Sequence, residues 1–173
     1  MTQNKKYRIG TYQSKNEYTI QEIQDNIDCI SQFPFELKKL VENVDVRLLK
    51  NTYRENGWTG IQLIHHCADS HMNSFIRFKL ALTEDNPTIK PYEEESWANT
   101  ADGLDINLIP SLSLIEALHY RWTFLMRSLN QKQLDRTFYH PAQEKTITIK
   151  EAIHLYAWHS KHHLAHLKIL LLA

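Results

Sequence analysis

Residues 154–173 read HLYAWHSKHHLAHLKILLLA, and whether this segment is a buried or a solvated helix governs every other assignment. It follows Thr148 and Glu151, a T-x-x-E pair that satisfies two free backbone donors at a helix start. At about 100° per residue, His159 and His163 project side by side and share a side with Ala152, Leu155, Tyr156 and Leu170. That apolar side packs against other helices, so two imidazoles on it need polar partners. His162 and His166 are also separated by four residues, so spacing alone does not choose between the pairs.

Working backwards from this helix, three more segments carry helical periodicity. Thr19 and Glu22 form a capping box, followed by Ile20, Ile23, Ile27 and Ile30 at three- and four-residue steps. Pro34 is expected to kink or restart that helix, and Leu37, Leu40 and Val41 continue its apolar face. Thr59 and Gln62 form a second box, with Trp58 and Leu63 placed as a hydrophobic staple, opening a helix to about Leu82. A third helix is expected from Pro110–Ser113, with Ser113 and Glu116 as its box and Ile115, Leu118, Trp122, Leu125 and Leu129 on its buried side. Residues 84–110 break the pattern with three prolines and Gly103, leaving a long connection with one helical turn near Glu93–Trp97 and room for a crossover. Thr137, Phe138 and Tyr139, then Thr146 and Ile147, have strand propensity around a polar turn and predict a small β-hairpin before the last helix. The fold class is therefore all-α: a four-helix bundle formed by one domain over residues 1–173.

Composition narrows the function. Lys plus Arg is 20 and Asp plus Glu is 20, with no basic stripe, which argues against a nucleic-acid groove or a polybasic membrane contact. MTQNKKYRIGTYQ at the start has no apolar secretory core, and ILLLA is too short to span a bilayer. Two cysteines, Cys29 and Cys67, give no disulfide framework, and a reducing cytoplasm is the expected compartment. Only 4 residues are glycine but 10 are histidine, and His65, His66 and His71 cluster as the C-terminal four do.

Neutral imidazole is a common ligand for zinc, nickel, copper and iron, and a divalent ion is the most economical partner for a histidine pair in a bundle interior. A third ligand then comes from another helix. In HHCADSH, His66 shares a face with Asp69, Asn73 and Arg77, although spacing does not separate His66 from His65 or His71. Three histidines from two helices leave coordination positions open, as a catalytic site requires. Histidines on a helix are also commonly solvated or bonded to a carbonyl. Cys67 reads as a buried thiol, Asp69 as a solvated or pairing carboxylate, and Tyr53, Trp58, Trp122, Tyr156 and Trp158 as core. Ser160 follows His159, so the glutamate of H-E-x-x-H is missing, and no G-x-S-x-G elbow or phosphate-binding glycine loop occurs.

The stretches YRENGWTGIQLIHHCADSHMNSFIRFKLALTEDNPTIKPYEEESWA, RTFYHP and YAWHSKHHLAHL resemble the YfiT-type metal-dependent hydrolases of the DinB-like superfamily, and the likeness runs from about YRIGTY to the C-terminus. The resemblance implies a four-helix bundle with one divalent metal per subunit, zinc or nickel, bound by three histidines and water. It implies His66, from H-x-A-D, and His159 and His163, from W-H-x-x-x-H, as the ligands. It further implies a cytoplasmic homodimer acting on a small molecule. In the hydrolase reading, Asp69 orients a ligand or accepts a proton, and Asn73 and Arg77 help to position substrate. Related DinB-like proteins transfer low-molecular-weight thiols such as bacillithiol, so an S-transferase is the alternative. A non-catalytic metal-binding dimeric bundle is the third reading.

Overall fold

A computed structural model describes residues 5–171. Four long helices make the bundle: α1 (Ile20–Val41), α3 (Gly60–Thr83), α5 (Ile109–Arg127) and α7 (Ile149–Leu171). Short helices α2 (Val46–Leu49), α4 (Glu94–Ala98) and α6 (Gln131–Leu134) lie in the connections, and β1 (Thr137–His140) pairs with β2 (Lys145–Thr148) before α7. Residues 172 and 173, the last of the expected final helix, lie outside the described residues.

The capping chemistry positions the helix starts. Thr19 accepts from the Glu22 amide while Glu22 accepts from that of Thr19, and Thr59 and Gln62 make the same reciprocal pair at α3. Thr148 Oγ1 accepts from Glu151 N at 3.1 Å. Ser113 does not cap α5, which starts earlier, at Ile109, because Asn107 Oδ1 accepts from the Ile109 amide at 3.3 Å and Pro110 suits the first turn. Gly60 opens α3 where a Cβ would lie 2.8 Å from Leu49 Cδ2, so its lack of a side chain lets α2 sit against the helix start. Ile20, expected in the apolar stripe, is exposed along with Thr19 and Gln21 beside it, whereas Ile23, Ile27 and Ile30 are buried.

Around the bundle, α1 packs on α5 and α7, and α3 packs on the same two helices. Thus α1 faces α3 across the core and α5 faces α7, so the first and third connections step diagonally. The long connection of residues 84–108, expected to allow a crossover, instead joins the neighbours α3 and α5. It is pinned to α3 by Gln62 Nε2 donating to Ala98 O at 3.0 Å and by His65 Nε2 donating to Asp105 O at 2.8 Å, while the other ring nitrogen of His65 bonds Ser111 Oγ, in the first turn of α5, at 2.7 Å. It meets the hairpin through Ile89 N donating to Tyr139 O at 3.0 Å. In the hairpin Phe138 pairs with Ile147 and both are buried.

The core divides into two apolar clusters drawn from opposite ends of every long helix. One holds Ile23, Ile27, Phe78, Trp122 and Ile153, the other Phe33, Leu37, Ile64, Ile115 and Leu167. Between them lie buried polar side chains: Ser70, His71 and Ser74 on α3, His119 on α5, and Ser160 and His163 on α7. Pro34 does not interrupt α1, which runs continuously from Ile20 to Val41. Having no N–H, it leaves the Ile30 carbonyl without its helical donor. That carbonyl accepts from His119 Nδ1 at 2.7 Å.

Candidate metal centre

His66 is in the second turn of α3, fixed by the Thr59–Gln62 box, while His159 and His163 lie one turn apart on the neighbouring α7. Their Nε2 atoms converge: His163 and His159 at 3.1 Å, His66 and His159 at 3.3 Å. Among the described residues these three are the one His, Cys, Asp or Glu group whose ligand atoms could hold a metal ion, all within 4.8 Å of one another. Nitrogens about 2.0–2.1 Å from a tetrahedral ion stand about 3.3 Å apart, so the observed spacing fits such an ion. Three lone pairs aimed at one point repel unless a cation or proton lies between them. Burial, reinforced by neighbouring imidazoles, pushes His159 and His163 well below the ordinary histidine range and His66 to about 4. All three are therefore neutral near pH 7, the form that ligates.

The ligating edges open into a cavity of about 340 Å³ walled by Tyr53, Arg54, Trp58, Glu94, Glu95, Trp158, His162 and His166 among others. Of the aromatic residues expected in the core, Tyr53, Trp122 and Tyr156 are buried, Tyr53 also lining the cavity, whereas Trp58 and Trp158 are half-buried in the cavity wall. Trp58 Nε1 donates to Glu95 at 2.8 Å. Desolvation raises the Glu94 carboxyl, with Arg77 pulling the other way. Trp158 Nε1 is buried with no hydrogen-bond partner among the described residues. A larger groove, about 670 Å³, lies between α1 and α5 and contains none of the three converging histidines.

Asp69, Asn73 and Arg77 are half-buried on α3 and are not among the residues walling the histidine cavity. Burial, aided by Asp102, raises the Asp69 carboxyl, and Asn73 Nδ2 donates to Asp69 O at 2.9 Å. Arg77 reaches the cavity electrostatically, through Glu94. Cys67 is fully buried and its thiol is pushed up by burial. His65 binds the long connection, and His71 lies in the polar layer.

Residues 31–167 match the family model described as the DinB superfamily. The chain belongs to the DinB superfamily. It is 43% identical over 164 residues to YfiT of Bacillus subtilis, covering 95% of this chain and 92% of that one. It is 50% identical over 165 residues to a protein of Oceanobacillus iheyensis, covering 95% and 94%. Both relatives are provisionally named metal-dependent hydrolases. The solved structure of YfiT, described as a probable metal-dependent hydrolase with an unusual four-helix bundle topology, superposes with a TM-score of 0.94, covering 96% of this chain and 95% of that chain.

Within this DinB-superfamily chain, sequence reasoning missed the carboxylates of the wall, Glu94 and Glu95, although it expected the helical turn that carries them. It also missed His119, an isolated histidine on an otherwise apolar side of α5. The signal available for it was Pro34, which must free one carbonyl of α1.

Proposed function

We propose that this protein is a metal-dependent hydrolase of a small molecule, with His66, His159 and His163 holding one zinc or nickel ion. The observation that carries this reading is the convergence of three neutral imidazole Nε2 atoms, at 3.1 and 3.3 Å, on the edge of a walled cavity. When bound, such an ion supplies Lewis acidity and brings the pKa of a coordinated water toward neutrality. The chain's own residues do the rest. Arg54, in the cavity wall, offers a donor to a substrate oxygen. Of the two carboxylates in the wall, Glu95 is engaged by Trp58, which leaves Glu94 to take and return the proton. Arg77 tunes Glu94 from behind, and Asp69 and Asn73 support that face of α3.

We place the protein in the cytoplasm, in keeping with two unpaired cysteines; no helix among the described residues is long and apolar enough to cross a membrane. A homodimer is supported by the apolar α1–α5 groove, where Phe35, Tyr120 and Phe124 are exposed.

The test is metal analysis of freshly purified protein, followed by ester, amide and lactone cleavage with and without chelator. One equivalent of zinc or nickel and chelator-sensitive cleavage are expected. Conjugation of monochlorobimane to a low-molecular-weight thiol, with no cleavage, would move the assignment to thiol transfer. Bound metal that raises the melting temperature without any turnover would leave a non-catalytic bundle.

A further inference from the structure

The hydrogen bonds behind the histidine cluster have a forced direction. Ile30 O on α1 lies 2.7 Å from His119 Nδ1 on α5. A carbonyl oxygen only accepts, so Nδ1 of His119 carries the hydrogen and its Nε2, in a neutral ring, carries a lone pair. His71 Nδ1 on α3 lies 2.7 Å from that Nε2 and must donate to it. His71 Nε2 is then an acceptor, and His159 Nδ1 on α7, at 3.0 Å, must be its donor. That leaves the lone pair of His159 on Nε2, the atom that faces His66 and His163. These directions hold for neutral rings, and His71 and His119 are 0% and 1% exposed in the polar layer between the two apolar clusters.

We propose that His119 and His71 are positioning residues: a one-way chain of imidazoles, anchored on the carbonyl that Pro34 frees, which locks His159 as the Nδ1–H tautomer and presents its Nε2 lone pair to the metal. The proposal rests on the metal reading above. A ligating histidine commonly donates its other N–H to a carboxylate, carbonyl or water. Here the acceptor is a second neutral imidazole, and the chain ends on a main-chain oxygen, touching all four long helices. No other buried arrangement in the described residues fixes a ligand in this way; His163 Nδ1 is buried without a hydrogen-bond partner.

Two measurements test it. The first is long-range proton–nitrogen NMR of the metal-free protein, which reads each imidazole tautomer directly. His159, His71 and His119 are expected as Nδ1–H; His159 found as Nε2–H overturns the proposal. The second is metal affinity by competition with a chromophoric chelator. His71→Phe keeps a ring but offers no acceptor, and binding about 10–100-fold weaker than wild type is expected. His119→Gln can donate to Ile30 O through its amide nitrogen and accept from His71 through its oxygen, so it should restore affinity that His119→Leu loses. Equal affinity in wild type, His71→Phe and His119→Leu overturns the proposal. If His71→Phe does not fold, the wild-type tautomers and the two His119 variants still decide. Absence of any metal binding by wild type sinks the metal reading, and the tautomers then decide the chain of imidazoles alone.

Discussion

Two histidine pairs share α7 with identical spacing and opposite fates. His159 and His163 turn their Nε2 atoms toward His66, at distances suited to a common ion. His162 and His166 turn to other partners. His166 Nε2 donates to Lys6 O at 3.0 Å and its ring stacks on Tyr53 at 3.9 Å; His162 stacks on Trp158 at 4.4 Å. A nitrogen that already donates to a carbonyl has no lone pair to give. Spacing decides which rings lie side by side, whereas the atom each ring presents is decided by what its other edge bonds.

The largest effect expected from this contrast is on metal. His163→Ala should lose stoichiometric zinc or nickel while His166→Ala keeps it, read by metal analysis after gel filtration; metal retained in His163→Ala removes it from the ligand set. Next is the response to acid. His66 and His162, one from each group, are held at about 4, and His119 likewise, chiefly by burial. Between pH of about 6.5 and 4 the unfolded chain therefore binds more protons than the native one, and stability falls as pH drops. The slope is about 1.4 kcal/mol per pH unit for each buried histidine that is neutral only when folded. Metal-free protein melted at pH 7 and pH 5 should show this loss, and loaded protein should lose its ion over the same range. A flat profile would mean that these rings are not buried neutral.

Smaller effects refine the comparison. His166→Ala, which loses the Tyr53 stack and one hydrogen bond, should cost about 1–2 kcal/mol in denaturant unfolding with metal stoichiometry intact. Thr59→Ala should cost about 1 kcal/mol by removing the cap at the start of the helix that carries His66. If it also weakened metal binding, the helix start would be steering His66 directly.

The bundle was legible wherever local chemistry is enough. Thr19–Glu22 and Thr59–Gln62 announce helix starts because a cap is a contact between residues three apart. The same logic found the start of α5 near Pro110 but named the wrong cap, since Asn107 and Pro110 act before Ser113 can. It also passed over Asp45, which caps α2, and the Asn130–Gln133 box of α6. The convergence of His66 with His159 and His163 came from the family likeness, because choosing between two equally spaced pairs needs the rotation of α7 against α3. Glu94, Tyr53, Trp58 and Trp158 join the cavity through chain crossings far apart in sequence, which no periodicity encodes.

The layer of buried histidines and serines also bears on how the helices find their alignment. Apolar rows tolerate a slip of one helix past another by a turn, because one leucine replaces the next. Here a slip of about 5.4 Å would strand imidazoles against hydrocarbon on two neighbours at once. The polar belt at mid-height therefore selects one axial setting for α3, α5 and α7, in the manner of a single polar residue within a coiled-coil seam.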